Sequence, residues 1–176
     1  MAKVVLVGSS IFQQWHSASE VFPAHEVVNR AIGGTTTLQW LDLLPAVLEE
    51  EQPDAVCMYC GSNDLNGASG EEQIVGNALR LRALVREYGE GVPFAFFGII
   101  KAPQKLGKWD LIERINARVR LGLLEGDRYV ETNGVFFAGE RVREELFVED
   151  QLHLTGAAYE SMVETVEPVL VDWLRA

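Results

Sequence analysis

The chain is short of basic charge. Its 176 residues include 15 lysines and arginines against 26 aspartates and glutamates, a formal net charge of −11. Nucleic acids and anionic membrane surfaces are bound by basic patches, so this balance disfavours both as partners. We therefore predict no nucleic-acid partner.

Long apolar runs are also missing. No run approaches the roughly 18 residues of a membrane-spanning helix. The N-terminus shows no basic segment followed by a long apolar stretch, the pattern of a signal peptide. We predict no transmembrane segment and, by default, a cytoplasmic location.

Cysteine is scarce, with only Cys57 and Cys60 present. Their C-x-x-C spacing is that of redox pairs, but such pairs lie at helix N-termini. These two lie in a probable strand, where positions three apart point to opposite faces. We predict buried, reduced thiols. No G-x-G-x-x-G fingerprint follows the first apolar run, which argues against a dinucleotide, and we predict no cofactor and no metal.

Apolar strand-like runs alternate with helical patterns along the whole chain. The predicted strands are 3–8, 26–30, 55–60, 93–100 and 128–131, and the predicted helices are 10–19, 38–50, 69–88, 109–124 and 156–175. Unbroken apolar runs are typical of parallel strands buried on both faces. We predict a single domain over residues 1–176, an α/β three-layer α/β/α sandwich. Its five-stranded parallel sheet has the flavodoxin-like order 2-1-3-4-5.

Four polar segments lie after strands or before the last helix. They are Gly8-Ser9-Ser10, Gly33-Gly34, Gly61-Ser62-Asn63-Asp64 and Asp150-Gln151-Leu152-His153. Each has a simple alternative interpretation as a turn or a helix cap. Since the carboxyl ends of parallel strands meet at one sheet edge, we expect the four segments to converge there.

The residue types in these segments suit nucleophilic catalysis. Asp150 and His153 are three apart, a spacing that puts both side chains on one side of a helical turn. The carboxylate would then orient the imidazole, and the imidazole would take a proton from Ser10. The backbone N–H groups of Ser10 and Gly34 and the side-chain amide of Asn63 are candidate donors to an oxyanion.

Together these segments resemble the conserved blocks of the SGNH hydrolases, also called GDSL esterases and lipases. The resemblance implies Ser10 as nucleophile, with Asp150 and His153 completing a triad, and an oxyanion hole of Ser10, Gly34 and Asn63. It also implies the flavodoxin-like fold and metal-free chemistry. The chain departs from the family pattern with Ser9 and Thr35 where aspartates are common and with Ala31 where a glycine is common.

The resemblance implies a serine esterase acting on a small-molecule carboxylic ester. The chain is short and has no obvious insertion for a large lid, which favours a short acyl or acetyl group. Asp64 is expected to support the Asn63 loop. Candidate pocket walls are Ile11, Trp15, Leu65 and the loop 101–109, whose three lysines are either solvated or in contact with a negative group. Two alternatives remain: an acyltransferase of the same family, with a sugar or alcohol replacing water, and a non-catalytic flavodoxin-like domain that binds a small ligand.

Overall fold

A five-stranded parallel sheet lies at the centre of the molecule, in a computed structural model that describes residues 1–67 and 69–174. The strand order is β2-β1-β3-β4-β5, as predicted. Its strands are β1 (Lys3–Gly8), β2 (Glu26–Asn29), β3 (Ala55–Tyr59), β4 (Phe94–Phe97) and β5 (Arg128–Val130).

The central strands are buried on both faces, which explains their unbroken apolar runs. In β1, Val4 and Leu6 pack into one hydrophobic core, while Val5 and Val7 pack into a second core on the opposite face. This alternation follows from the two-residue period of a strand. The sheet therefore separates two cores, as the predicted sandwich requires.

Helices cover both faces of the sheet. They are α1 (Ser10–Gln13), α2 (Thr37–Glu51), α3 (Glu71–Tyr88), α4 (Trp109–Gly122) and α5 (Gly156–Trp173). Buried residues of α1 and α5 belong to the first core, and those of α2, α3 and α4 to the second. The predicted end of the last helix, Arg175, lies outside the described residues.

Several predicted boundaries differ from the observed ones. Helix α1 ends at Gln13, and the rest of the predicted helix contains the separate 3₁₀ helix Ala18–Val21. Helix α3 begins at Glu71, with Gly70 at its N-cap position, two residues after the predicted start at Ser69. Strand β4 ends at Phe97. Gly98 N–H still donates to the Val130 carbonyl oxygen at 3.0 Å, whereas Ile99 N–H donates to a side chain, Asn116 Oδ1, at 2.8 Å.

The segment between β5 and α5 contains more regular structure than predicted. A short antiparallel hairpin pairs β6 (Phe137–Ala138) with β7 (Arg141–Val142). An isolated antiparallel bridge joins Phe147 to Leu154 and closes the loop that carries Asp150 and His153. Strands of two residues are too short to show a recognisable alternation in sequence.

Both cysteines are buried and free, as predicted for reduced thiols. Burial raises the pKa of the Cys57 thiol and of the Cys60 thiol. Because the thiolate is the reactive form of cysteine, both side chains are chemically quiet packing groups.

Candidate active site

Ser10 lies at a sharp turn between β1 and α1. Gly8 has a φ of +135°, and a Cβ at this position would lie 1.9 Å from the Tyr59 carbonyl oxygen, so only glycine fits here. Ser9 N–H donates to that same oxygen at 2.9 Å, and the Ser9 side chain is buried. Ser10, the first residue of α1, is partly exposed, so it is the serine of this turn that a substrate can reach.

The structure brings Ser10, His153 and Asp150 into one hydrogen-bonded chain. Ser10 Oγ lies 2.9 Å from His153 Nε2. His153 Nδ1 lies 2.5 Å from Asp150 Oδ2. With Nδ1–H donating to the carboxylate, Nε2 is left as the acceptor for the serine proton.

Asp150 and His153 lie in a tight turn before α5 and not in a helix. The Asp150 Oδ1 atom accepts from the backbone N–H groups of Leu152 and His153, each at 2.9 Å. The N-cap of α5 is Thr155, whose side chain accepts from Ala158 N–H. The spacing of three therefore brings the two side chains together through a turn that Asp150 itself stabilises, and the simple alternative of a helix cap at Asp150 is excluded.

The environment of Asp150 favours its ionised form. The hydrogen bonds from the His153 side chain and backbone lower the pKa of Asp150 to about 2. The carboxylate is consequently charged throughout the neutral range, where it holds the imidazole in the orientation described above. The Asp150 side chain is 45% exposed and that of His153 26% exposed, so the site is open to solvent.

The glycine loop lies directly against Ser10. A Cβ built on Gly33 would approach Ser10 Cβ to 3.8 Å and Gln13 Oε1 to 2.4 Å. Gly34 has a φ of +80°, a conformation that glycine adopts readily, and its surroundings are open. The structure thus places the second predicted segment beside the first.

Asn63 reaches the same loop from the end of β3. Its Nδ2 atom donates to the Thr35 carbonyl oxygen at 3.0 Å. A side-chain amide has two N–H groups, so one remains for another acceptor. Ser62, its neighbour, is only 5% exposed and is therefore poorly placed to act as a nucleophile.

Asp64 joins the Asn63 loop to the start of α2. Its carboxylate accepts from Thr37 N–H at 3.0 Å and from Thr37 Oγ1 at 2.5 Å, and Asn77 Nδ2 donates to Thr37 Oγ1 at 3.0 Å. A carboxylate at a helix N-terminus is also favoured by the helix dipole. Since Asp64 is 1% exposed, it has almost no surface for a substrate.

Sequence reasoning did not predict the contacts of two threonines in this region. Thr37 contacts Asp64 as described, and Thr35 Oγ1 donates to the Ile32 carbonyl oxygen at 2.7 Å while accepting from Trp40 Nε1 at 2.8 Å. One sequence pattern does mark the place: Thr36 and Gln39 form a capping box, the S/T-x-x-E/Q motif that begins a helix. It locates the start of α2 but not the long-range partners.

The predicted pocket walls need correction. Ile11 is 3% exposed, Trp15 2% and Leu65 2%, and all three belong to the hydrophobic cores. Side chains buried to this degree present almost no surface to a substrate. The apolar character that suggested a pocket wall reflects packing beneath the site.

The lysines of the loop 101–109 differ from one another. Lys101 pairs with Glu113 and lies over the Phe137 ring. Lys105 is 4% exposed, whereas Lys108 is exposed. Solvated surface charge, one of the two expectations for this loop, is therefore wrong for Lys105.

Metal-binding groups and membrane-spanning helices are both absent from the residues that the structure describes. Across 1–67 and 69–174, histidine, cysteine, aspartate and glutamate side chains form no group of three or more that could hold a metal ion. In the same part of the chain, no helix combines the length and apolar content needed to cross a bilayer.

Comparison with solved structures identifies relatives of the fold. A structure from Bacteroides fragilis has a TM-score of 0.83 at 20% identity, covering 97% of this chain and 87% of that chain. A GDSL-like lipase from Bacteroides thetaiotaomicron has a TM-score of 0.78 at 20% identity, covering 97% and 88%. A family 3 carbohydrate esterase from Talaromyces cellulolyticus has a TM-score of 0.77 at 17% identity, covering 99% of both chains.

At the sequence level, no curated protein matches the chain. The model of the GDSL-like lipase/acylhydrolase family, however, matches residues 7–160. This range includes the end of β1, the other four strands of the central sheet and the Asp150–His153 turn. The chain therefore belongs to the GDSL-like lipase/acylhydrolase family, a family of carboxylic ester hydrolases.

Proposed function

We propose that the chain is a serine esterase in which Ser10 is the nucleophile, His153 the general base and Asp150 the residue that orients the imidazole. One observation carries this proposal: the continuous hydrogen-bonded chain from Asp150 Oδ2 through His153 to Ser10 Oγ, with contacts of 2.5 Å and 2.9 Å. Such a chain activates a hydroxyl that is a weak nucleophile by itself.

The proposed reaction has two stages. Ser10 Oγ attacks the acyl carbon while its proton moves to His153 Nε2. The bond between the acyl carbon and the alcohol oxygen then breaks, and Nε2–H protonates the leaving alcohol. In the second stage His153 Nε2 takes a proton from water, the hydroxyl attacks the acyl carbon, and the bond between that carbon and Ser10 Oγ breaks. Nε2–H returns the proton to Oγ, and the free acid is released.

Three donors are proposed to stabilise the oxyanion of each tetrahedral intermediate. They are the backbone N–H groups of Ser10 and Gly34 and the second Nδ2 hydrogen of Asn63. The hydrogen bond from Asn63 to the Thr35 carbonyl supports this role, because it fixes the amide before the substrate binds. Preorganised donors of this kind contribute about 10²–10³ each to turnover.

The open site favours small substrates with short acyl groups. Asp150 and His153 are both accessible, and the proposed pocket-wall residues are instead buried in the cores. The carbohydrate esterase among the structural neighbours is consistent with an ester of a polar alcohol. We also propose that residues 1–176 work as one hydrolase domain.

Hydrolysis of p-nitrophenyl acetate and butyrate tests the proposal. We expect activity without added metal and unchanged by a chelator, because the proposed chemistry uses only side chains and water. Ser10→Ala should abolish it, whereas Ser62→Ala, the matched control on the neighbouring loop, should retain most of it. Adding an alcohol acceptor and analysing the products distinguishes hydrolysis from acyl transfer.

A fluorophosphonate probe tests the nucleophile directly. Peptide mapping should find the label on Ser10, and a folded His153→Ala variant should be labelled far more slowly, because it lacks the proposed base. Label on Ser9 or Ser62, or undiminished labelling of a folded His153→Ala variant, would overturn the assignment.

A further inference from the structure

One cavity is lined by two segments that hydrogen-bond to the segments of the candidate active site. Its volume is about 410 Å³, and its lining residues are Asn66, Gln104, Lys105, Gly107 and Lys108. It is formed by the 3₁₀ helix Pro103–Lys108 and the end of the 3₁₀ helix Asp64–Asn66.

Backbone hydrogen bonds tie both walls of this cavity to the catalytic segments. Asn66 N–H donates to the Asn63 carbonyl oxygen at 3.0 Å. Three residues of a 3₁₀ helix rise about 6 Å, so this wall begins within one turn of the proposed oxyanion donor. On the other side, Gln104 N–H donates to the Gln151 carbonyl oxygen at 3.0 Å, inside the turn that presents His153.

Two ammonium groups line the cavity without a carboxylate to neutralise them. Lys105 Nζ donates to Asn66 Oδ1, and Lys108 Nζ donates to the Leu65 carbonyl oxygen. Within residues 1–67 and 69–174, neither lysine forms an ion pair, whereas Lys101 of the same loop pairs with Glu113. Burial and the nearby Lys108 charge lower the pKa of Lys105.

This arrangement is energetically unfavourable unless an anion binds beside the two ammonium groups. Lys105 is 4% exposed, and burying a charge without a counter-charge costs free energy. The chain has an excess of acidic residues, yet none faces these two ammonium groups in the lining. A lysine ammonium group has three N–H donors. The amide or carbonyl oxygen occupies one donor of each ammonium group, so the other donors can bind a ligand.

We infer that this cavity is a subsite for an anionic group of the substrate, so that the preferred esters carry a carboxylate or phosphate near the scissile bond. The inference rests on the proposed function at Ser10, and it adds the charge of the substrate to it. Paired ammonium groups attract such an anion and fix its position beside the oxyanion donors.

Matched pairs of esters test the inference and locate the anion. The p-nitrophenyl monoester of glutaric acid, compared with p-nitrophenyl valerate, places a carboxylate on the acyl side. 4-Acetoxybenzoate compared with its methyl ester places it on the alcohol side, and 4-acetoxyphenyl phosphate compared with 4-acetoxyanisole replaces it by a phosphate. We expect kcat/KM to be about tenfold higher for the anionic member of at least one pair, a preference that weakens as salt is added.

Variants assign this preference to the cavity. Lys105→Met with Lys108→Met should reduce the anionic-to-neutral ratio about tenfold, with a far smaller loss on the neutral ester. Lys101→Met is the matched control, because it removes a lysine of the same loop that Glu113 already neutralises, and it should preserve the ratio. Lys108→Met alone, at an exposed position, should lower the ratio severalfold if the double variant does not fold.

The outcomes separate the subsite from the esterase proposal. A wild-type preference for the neutral ester in every pair, or a ratio that survives both lysine substitutions, overturns the subsite while leaving Ser10 chemistry intact. If no ester is hydrolysed, the function itself fails, and binding decides the subsite. Calorimetric titration of the Ser10→Ala protein with 4-acetoxybenzoate should then show binding, and adding the two lysine substitutions to that protein should remove it. Binding that is equal with and without the lysine substitutions, or absent from both proteins, overturns the subsite.

Discussion

At the scale of single residues, Asp150 both shapes its turn and orients the imidazole. Its Oδ1 atom accepts from the backbone N–H groups of Leu152 and His153, while Oδ2 accepts from His153 Nδ1. The same carboxylate therefore positions the backbone that carries His153 and the ring of His153. Truncation would confuse the two roles, whereas an isosteric amide separates them.

Asp150→Asn should fold normally and lose about 10³–10⁴ in kcat. The amide oxygen keeps an acceptor for the backbone of the turn, but its NH₂ group cannot accept from Nδ1, so the imidazole loses the correct tautomer. Steady-state kinetics with p-nitrophenyl acetate and a thermal unfolding curve measure both properties.

Glu149→Gln is the matched control for that substitution, because Glu149 is an exposed carboxylate at the neighbouring position. It should leave kcat unchanged. Near-normal turnover in a folded Asp150→Asn protein would limit Asp150 to shaping the turn.

At the scale of elements, the start of α2 and the loop after β3 are locked together. Asp64 accepts from both the N–H and the hydroxyl of Thr37, and Asn77 of α3 donates to that hydroxyl. These contacts fix the position of the loop that carries Asn63 relative to α2 and α3. The catalytic role that we propose for Asn63 depends on this brace.

Thr37→Val should lower the free energy of unfolding by about 1–3 kcal/mol, because it removes a buried hydroxyl that donates to the buried Asp64 carboxylate. It should also reduce kcat severalfold with little change in KM, since Asn63 acts on the transition state in the proposed mechanism. Urea unfolding and steady-state kinetics measure the two effects.

Thr165→Val is the corresponding control, since Thr165 is exposed and its hydroxyl bonds only to the Ser161 carbonyl of its own helix. Its effect on stability should stay within about 0.5 kcal/mol. If Thr37→Val and Thr165→Val had the same stability and turnover, the contacts of Thr37 would not position the loop that carries Asn63.

At the scale of the whole molecule, acidic residues are partly balanced by ion pairs. A hydrogen bond from Lys3 lowers the pKa of Glu51, one from Arg114 lowers that of Glu71, and one from Arg118 lowers that of Glu72. Asp150 behaves in the same way through His153. A carboxyl whose pKa is lower in the folded state than in the unfolded chain stabilises the fold above its unfolded pKa and loses this contribution as pH falls through the folded value.

The melting temperature should therefore decline below about pH 4, where ordinary carboxyl groups begin to titrate. Between neutral pH and the isoelectric point near 4.7 it should stay level or rise slightly, because acidification reduces the repulsion among excess negative charges. Calorimetry at constant ionic strength measures the profile. A melting temperature that stays level down to about pH 3 would show that these ion pairs contribute nothing measurable.

Much of the architecture could be predicted because it is encoded locally. Buried strands such as Val4–Val7 and Ala55–Tyr59 are continuous apolar runs, and each is followed by a glycine that turns the chain. The alternation of strands and helices then predicts a parallel sheet, and right-handed crossovers limit the strand orders that it can have. The hairpin at Phe137–Val142 escaped prediction since its strands have two residues each.

By itself, the sequence determined the sandwich and the set of polar segments at the sheet edge, because periodicity and turn residues act over a few neighbouring positions. For the sheet order it set limits only, since right-handed crossovers leave more than one possible order. Only the tertiary structure decided which of these side chains meet. The 2.9 Å contact between Ser10 and His153 joins residues 143 positions apart, and such a contact depends on the path of the segment that leads from β5 to α5. Burial was decided in the same way: Trp15 and Lys105 lie in polar or irregular segments, yet packing from distant elements leaves them 2% and 4% exposed.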